Sequence, residues 1–553
     1  MQRREFLKLA GALPLGGLAH ANPSRPNIII ILADDVGYSD FGCYGGEIHT
    51  PDVDQLSKGG IRFTEFYNCA RCCPSRASLL TGLYSHQAGI GGMTGKPVDD
   101  LEGFQGHLTA HNVTIAEVLR TAGYSALMVG KWHLNNPPPV ERGFEEYYGL
   151  LGGMESYWDP SKYVRLPAGR VERQYAPGEF YTTNVFTDYA LDLLRAARGR
   201  NQPYFLYLAY NAAHFPLHAP KSVIDKYVPV YEKGWDAIRQ ERFGRMREMG
   251  LLEKGWDFTP RSIIPQSLYS DAHGWTNKQN PAWDSLPADR RADLTRRMAI
   301  YAAAVEVMDH NIGRVVEDLR SNSELDNTLI LVLSDNGACA EWDPWGFDGG
   351  SGGNNILHTG DDLDKMGQPG TYLSYGSGWA NACNTPFRLY KHYDHEGGIS
   401  SPLIAHWPKG ISRHGVYEHQ MGHLMDLMPT CVELAGATYP AEVQGRQILP
   451  MEGRSLLPAF EGKAIHREGI YWEHEGSRAV RLGKWKAVAL LPQGQWELYD
   501  MDHDRTEMHN LAARYPQRVN KMVQAWDAWA QRTHAVPWPW KPQYSDNANA
   551  RRE

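Results

Sequence analysis

The sequence predicts an α/β fold: a large, mostly parallel mixed sheet flanked by helices on both faces, plus a smaller carboxy-terminal domain with an antiparallel sheet and a terminal helix. Four short apolar runs, Asn27 to Leu32, Ser125 to Val129, Tyr204 to Leu208 and Thr328 to Leu333, carry the first part. Uninterrupted β-rich runs of this length read as strands buried on both faces. Helical patterns separate the runs, as a parallel sheet requires. Past Glu461 the pattern changes to short alternating segments, which predict the smaller unit.

The chain opens with Arg3 and Arg4, then Phe6, Leu7 and Lys8, a weakly apolar stretch, and Ala19-His20-Ala21 as a small-residue cleavage site. This is the pattern of a twin-arginine export signal, too short and too interrupted by Gly and Pro to span a bilayer. The alternative, an amphipathic first helix of the mature protein, would be broken by Pro14 and the Gly16-Gly17 pair. The expected partner is the twin-arginine export machinery. The mature chain is expected to begin near Asn22, periplasmic or secreted and without an integral membrane segment.

The first run is followed by Asp34 and Asp35. Thr114-Ile-Ala-Glu117 is a capping box opening a short helix that stops at Gly123, directly before the second run, after which come Lys131 and His133. His214 follows the third run. Tyr301, Val305, Met308, Ile312, Val315 and Leu319 recur at spacings of four and three, one face of a helix preceding the fourth run, after which stand Asp335 and Asn336. The alternating segments are Gly469 to Glu473, Arg478 to Leu482, Trp485 to Ala489 and Trp496 to Tyr499, followed by a helix from about Pro516 to Arg532. The expected division is a signal over 1–21, a main domain over 22–462 and a small antiparallel-sheet unit over 463–553.

Ligands of open α/β sheets bind outside the carboxyl ends of the strands, so these polar clusters should converge on one rim. Asp34, Asp35, Asp335 and Asn336 form an all-oxygen set suited to a hard divalent cation, calcium or magnesium rather than zinc. Taken alone, Asp-Asp after a strand also reads as a solvated loop.

The run CCPSRASLLTG, Cys72 to Gly82, reads as an anion site. Pro74 suits the first turn of a helix that Ala77, Ser78, Leu79 and Leu80 continue, which puts residue 72 at the helix amino end, where free N–H groups and the dipole favour an anion. Arg76 in that turn gains nothing from the dipole, so its placement asks for an anionic partner. Cys69-x-x-Cys72 alternatively reads as half of a zinc knuckle, but no second such pair completes it, and a buried inert cysteine is the remaining alternative.

The same run matches the motif by which type I sulfatases convert a cysteine into formylglycine. In that family the converted cysteine lies two positions before the proline and four before the arginine, which selects Cys72 and leaves Cys73 as a neighbour. The resemblance covers nearly the whole mature chain. It includes ADD (Ala33 to Asp35), GKWH (Gly130 to His133), RGFE (Arg142 to Glu145), HFPLHAP (His214 to Pro220) and SDNG (Ser334 to Gly337). It continues through RLYKHYDHEGGISSPLIAHWP (Arg388 to Pro408) to the GKWK and WELYD patterns, and is strongest to bacterial arylsulfatases. Position 83 departs from the family, with Leu where Arg is often found.

The resemblance implies an alkaline-phosphatase-like fold and one calcium ion, or magnesium in its place, bound by Asp34, Asp35, Asp335, Asn336 and an oxygen of formylglycine 72. It implies a formylglycine-generating maturation enzyme as a partner and a sulfate ester as substrate. Arg76, Lys131 and Lys391 would hold the sulfate oxygens, and His133 and His214 would handle protons. One hydroxyl of hydrated formylglycine, deprotonated with help from Asp335, would attack sulfur; His214, assisted by Lys391, would protonate the departing alcohol or phenol. His133 would then accept the proton of the second hydroxyl and sulfate would leave. As alternatives, the two histidines read as satisfied core residues and Lys391 as a solvated loop charge.

At 553 residues, 42% hydrophobic with 17 Trp and 29 Tyr, the chain has the composition of a folded enzyme. Its net charge of −8 gives the surface no general attraction for nucleic acid. Removing Cys72 leaves six cysteines, Cys43, Cys69, Cys73, Cys339, Cys383 and Cys431, which pair or remain reduced. The stretches Lys221 to Ser285 and Glu341 to Cys383 read as long loops above the rim that set substrate choice. The activity expected is arylsulfatase-like hydrolysis. The competing readings are a carbohydrate sulfatase, a phosphodiester or phosphonate monoester hydrolase, and a sulfated-glycan-binding protein with Cys72 unconverted.

Overall fold

In the computed structural model, described over residues 25–539 apart from 96, 97, 99, 201, 253, 254, 266–271, 351, 352, 492 and 493, the large sheet has ten strands. In chain order these are β1 (Asn27–Ala33), β2 (Ile61–Tyr67), β3 (Ser125–Gly130), β4 (Glu146–Gly149), β5 (Val164–Leu166), β6 (Tyr204–Ala209), β7 (Thr328–Ser334), β8 (Ser400–His406), β9 (Val416–Glu418) and β10 (Gly422–His423). They lie in the order β10-β2-β8-β7-β1-β6-β3-β4-β5, with β9 also paired to β2. The four strands expected from the apolar runs are the contiguous parallel centre, β7-β1-β6-β3, so their carboxyl ends share one edge. The export signal expected over 1–21 lies outside the described residues.

β1 shows why the central runs are continuously apolar. Ile29, Ile31 and Ala33 enter one core with the helices Thr182–Arg198 and Ala288–Ser321. Ile28, Ile30 and Leu32 enter a second core with the helices Cys72–Thr81, Ile115–Thr121 and Leu427–Ala435. Both faces are covered, so neither tolerates a polar side chain.

The capping box forms as expected: the Glu117 N–H donates to Thr114 Oγ1 at 3.1 Å and the Thr114 N–H to Glu117 Oε2 at 2.6 Å. The helix before β7 begins thirteen residues before the expected stripe, at Ala288, and all six stripe residues are fully buried.

Two parts of the sheet depart from the sequence reading. β2 and β8 were not anticipated because β2 alternates buried and charged residues and β8 contains Pro402. The β2–β8 register slips between Phe63 and Phe66, opposite the segment that carries Pro402, as expected for a residue that cannot donate to a ladder. The stretch read as a loop over 221–285 holds the helices Lys221–Tyr231 and Gly234–Glu248. Trp235 and Trp283 pack edge-on against each other and against Trp379, so these tryptophans build core rather than a binding surface.

After the short hairpin β11 (Glu442–Val443) and β12 (Arg446–Gln447), the carboxy-terminal sheet runs β13 (Ile470–His474), β14 (Ser477–Leu482), β15 (Trp485–Ala489) and β16 (Glu497–Asp500), antiparallel throughout. Val480, Ala487 and Leu498 face Trp526 and Trp529 of the helix Pro516–Arg532. Ala479, Val488 and Tyr499 face Tyr67 of β2 and Ile399, the residue before β8.

A buried ionic knot fastens that second face. Glu396 receives Lys486 Nζ at 2.9 Å and Arg505 Nη2 at 2.7 Å, while Lys486 also reaches Glu507 at 2.7 Å. Burial alone would raise the Glu396 carboxyl, but Lys486, Arg505 and Arg481 outweigh it and hold it down at about 2. A depressed carboxyl stabilises the fold above its unfolded value, and that contribution is lost as pH falls towards the folded value. Glu396→Gln is therefore expected to cost about 3 kcal/mol at neutral pH, the range for breaking a buried pair. The gap between variant and wild type should close as pH falls from about 4.5 towards 2, which denaturant titrations at stepped pH would measure.

Candidate active site

The central strands deliver their polar residues to one place because their first loop residues bond to one another. The Asp34 N–H donates to the Ala212 carbonyl at 2.9 Å, the Asp335 N–H to Ala33 at 3.2 Å and the Lys131 N–H to Ala209 at 2.8 Å. Gly130 makes the last of these contacts feasible. At its φ of +114° a Cβ would stand 1.8 Å from the Ala209 oxygen.

Residue 72 occupies the first position of the helix Cys72–Thr81, after Arg71 in extended conformation, and Pro74 is in the first turn. Its sulfur lies within 4.8 Å of ligand atoms of Cys73 and His133. A hydrogen bond from Cys73 holds the Cys72 thiol well below the usual range against the opposing effect of burial, helped by His133, Lys131 and Lys391. Cys73 is driven the other way, chiefly by burial. Residue 72 is thus the anion-stabilised member of the pair. All seven cysteines are free and buried, and Cys69 donates to Ser78 Oγ at 3.2 Å.

The acidic side of the site is fully buried. Lys131 Nζ meets Asp34 Oδ2 at 2.5 Å, and Lys391 Nζ meets Asp35 Oδ1 and Oδ2 at 2.8 and 3.0 Å. Asn336 Nδ2 donates to Asp35 Oδ1 at 2.6 Å, and Asp335 Oδ1 accepts the Asp35 N–H at 3.3 Å. The anionic partner that Arg76 requires inside the fold is Asp335, whose Oδ2 takes Nη2 at 2.8 Å and Nε at 3.1 Å, while Nη1 donates to the Lys131 carbonyl at 2.9 Å.

These residues fit an oxygen-liganded divalent cation. Asp34 Oδ1 and Asn336 Oδ1 are buried acceptors without a hydrogen-bond partner. Burial, and next the neighbouring Asp335, push the Asp34 carboxyl well above its ordinary value, a strain that a cation relieves. Three carboxylates face three cationic side chains, so a divalent ion arriving with a singly charged ester and an ionised nucleophile leaves the site balanced.

His133 and His214 flank residue 72 from different loops. His133 Nδ1 is buried without a partner, and burial lowers the ring's basicity. His214 is depressed further, to about 3, by burial and then by Lys131. Its Nδ1 stands 2.6 Å from the Phe215 carbonyl, which only accepts, so Nδ1 carries the hydrogen and Nε2 is bare. That Nε2 faces Lys391 Nζ at 3.4 Å and Asp35 Oδ2 at 3.5 Å. Burial alone would lower Lys391, but Asp35 holds it well above its usual value and charged.

Asp35 (φ +61°), Ala70 (+59°), His133 (+51°), Leu389 (+63°) and His392 (+84°) all sit in the left-handed region that favours glycine. Such strain concentrates where surrounding structure fixes a chemical arrangement.

Every sequence-predicted residue, Asp34, Asp35, Cys72, Arg76, Lys131, His133, His214, Asp335, Asn336 and Lys391, belongs to this one buried cluster. Two groups escaped the sequence reading. One is an apolar wall beside His214: Phe215 packs edge-on to Phe347 at 4.9 Å, next to Tyr372 and Cys339, and the Tyr372 hydroxyl donates to Met154 Sδ at 2.9 Å. The other is an ionic group around Arg71 and His392. His392 directly follows the recognised Lys391 and Phe215 the recognised His214, while Phe347 and Tyr372 lie in the stretch Glu341 to Cys383 expected to set substrate choice; these were the available signals, and none of them shows which side chains meet.

A family model described as Sulfatase matches residues 26–437, and a second, described as N-sulphoglucosamine sulphohydrolase, C-terminal, matches residues 387–528. An uncharacterised sulfatase of Schizosaccharomyces pombe is 33% identical over 94% of this chain and 96% of its own. An arylsulfatase of Klebsiella aerogenes is 32% identical over 82% of this chain and 96% of its own. Among solved structures, that of Ps i-CgsB superimposes with a TM-score of 0.65 at 25% identity, covering 93% of this chain and 95% of that one.

Proposed function

The chain belongs to the sulfatase family, whose members hydrolyse sulfate esters, and we propose that it is an exported arylsulfatase that uses formylglycine made from Cys72 and a bound calcium ion. The observation that carries this reading is the position of residue 72: first in its helix, beside His133, with Lys131, Lys391 and a buried all-oxygen acidic set around it.

Asp34, Asp35, Asp335 and Asn336 would hold the cation. Bound there, it would polarise the sulfuryl oxygens and favour an ionised oxygen on residue 72. Hydrated formylglycine supplies two hydroxyls on one carbon, one to attack sulfur and one to let sulfate go. Lys131 and Lys391 neutralise the ester's charge, and Arg76 contributes positive potential while pinning Asp335. Lys391 holds a proton within reach of His214 Nε2, which passes it to the ester oxygen. His133, with a free Nδ1, takes the proton whose loss releases sulfate.

The wall of Phe215, Phe347 and Tyr372 beside His214 supports an aryl rather than a polyhydroxylated leaving group. The second reading is a carbohydrate sulfatase, supported by the N-sulphoglucosamine sulphohydrolase match over residues 387–528. We place the division between the main and small domains near residue 463 and export through the leader over 1–21. Among the described residues no helix is long and apolar enough to cross a membrane.

The test is sulfate release from matched nitrophenyl sulfate and sugar sulfates, with an aryl phosphodiester alongside. The reading expects the aryl sulfate to be fastest. A faster sugar sulfate would move the chain to the second reading, and a faster phosphodiester would defeat both. In the same assays His214→Ala should slow an alkyl or sugar sulfate far more than a nitrophenyl ester, because poor leaving groups depend most on protonation. Equal losses would place His214 among the sulfate-binding groups.

A further inference from the structure

One group of buried ionisable side chains takes no part in the steps above. Arg71 Nη1 meets Glu475 Oε1 at 2.7 Å and His392 Nδ1 at 2.5 Å. His392 also faces Glu475 Oε2 at 3.2 Å and Glu341 Oε1 at 3.4 Å, with Trp342 packed against its ring at 4.3 Å. His474 Nε2 lies 3.4 Å from Glu475 Oε1. Arg71 is 9% exposed, Glu475 4% and His392 3%, so these charges are shielded and their contacts are strong. Burial alone would raise the Glu475 carboxyl, but Arg71 outweighs it and keeps it ionised.

The group joins three segments far apart in sequence. Arg71 precedes residue 72 and caps its helix without a side-chain cap bond. His392 follows Lys391, and its N–H donates to the Ala70 carbonyl at 2.8 Å. Glu475 and Gly476 form the two-residue turn of the β13–β14 hairpin, with φ of +49° and +85° as a tight hairpin turn requires. The same hairpin grips the loop before residue 72 a second time, through Trp472 Nε1 donating to the Asn68 carbonyl at 2.8 Å. Ala70 and His392 are both left-handed non-glycines, a strained conformation, so the two loops need support from outside themselves.

We propose that Glu475 is a positioning residue for the reaction: through Arg71 and His392 it fixes residue 72 and Lys391 relative to each other, which makes the carboxy-terminal hairpin part of the active site. This rests on the sulfatase mechanism proposed above. A displacement of about 1 Å between nucleophile and proton donor is enough to cost about 100-fold in rate.

The experiment compares Glu475→Gln, Arg71→Gln and the double variant in the full-length protein, using nitrophenyl sulfate and an alkyl sulfate. Rates are taken per mole of protein converted at residue 72, measured by peptide mass spectrometry, so folding or maturation losses do not count. Glu475→Gln is expected to lower kcat about 10- to 100-fold with KM little changed. The alkyl ester should suffer more because Lys391 is displaced as well. The double variant should lose no more than the worse single variant, since both break one link. Asp500→Asn is the control in the same sheet: Asp500 accepts Lys484 Nζ at 2.6 Å at the end of the sheet opposite the Glu475 turn, so this variant should leave kcat unchanged whatever it does to Tm. Where Glu475→Gln fails to fold, Arg71→Gln reports the same link from its other end. Unchanged kcat in both single variants, or additive losses in the double variant, would overturn the proposal. Wild-type protein that is converted but releases no sulfate from either ester would overturn the functional reading itself, a distinct result.

Discussion

Asp335→Ala is expected to lower kcat by about 10³-fold or more, the scale for removing a preorganised charge from a reacting centre. Asp335 does three things at once. Its Oδ2 holds Arg76 through two nitrogens, its Oδ1 accepts the Asp35 N–H, and it belongs to the proposed cation set. The alanine variant also strands a fully buried guanidinium, so a fall in stability of about 3–5 kcal/mol should accompany the loss. Asp335→Asn separates the effects. It keeps an oxygen for Arg76 but removes the charge and one acceptor, so its stability cost should fall at the low end of that range, as for Glu396→Gln, while most of the activity is still lost. Metal analysis checks the same assignment: exhaustive chelation should abolish turnover and calcium should restore it. Full activity in a metal-free sample would remove the cation from the account.

The second large effect is expected for Cys72→Ser: no steady-state turnover and at most one equivalent of product. A serine has one hydroxyl, so after it is used there is no second proton for His133 to take and no internal route to expel sulfate. Cys73→Ser should differ. Its hydroxyl can still donate towards residue 72, and the residue that reacts is left in place, so the converted enzyme should keep its rate. Loss of turnover in both variants, each fully folded, would contradict the assignment of residue 72 alone.

The central strands were legible because burial on both faces leaves an uninterrupted apolar run, and each run ends in residues whose chemistry marks the site. β1 and β7 differ from their expected bounds by a single residue. β2 and β8 were illegible for a matching reason: Arg62 and Glu65 interrupt one run, and Pro402 interrupts the other. The segment 221–285 was read as loop because Pro229 and many charged residues hide its helices; Pro229 stands within Lys221–Tyr231. The site was legible as a set of residues, because each stands in a short motif beside a strand end or helix start. Its wiring was not. That Arg76 is committed to Asp335, and that a hairpin tip reaches Arg71 across 404 positions, depend on tertiary approach that no local pattern encodes.

The proposed reaction turns on residue 72, and peptide mass spectrometry of enzyme with measured sulfatase activity tests that role most directly. The predicted result is an aldehyde at position 72, an intact thiol at position 73, and activity proportional to the converted fraction. An unmodified thiol at 72 in fully active enzyme, or an aldehyde at 73, would contradict it.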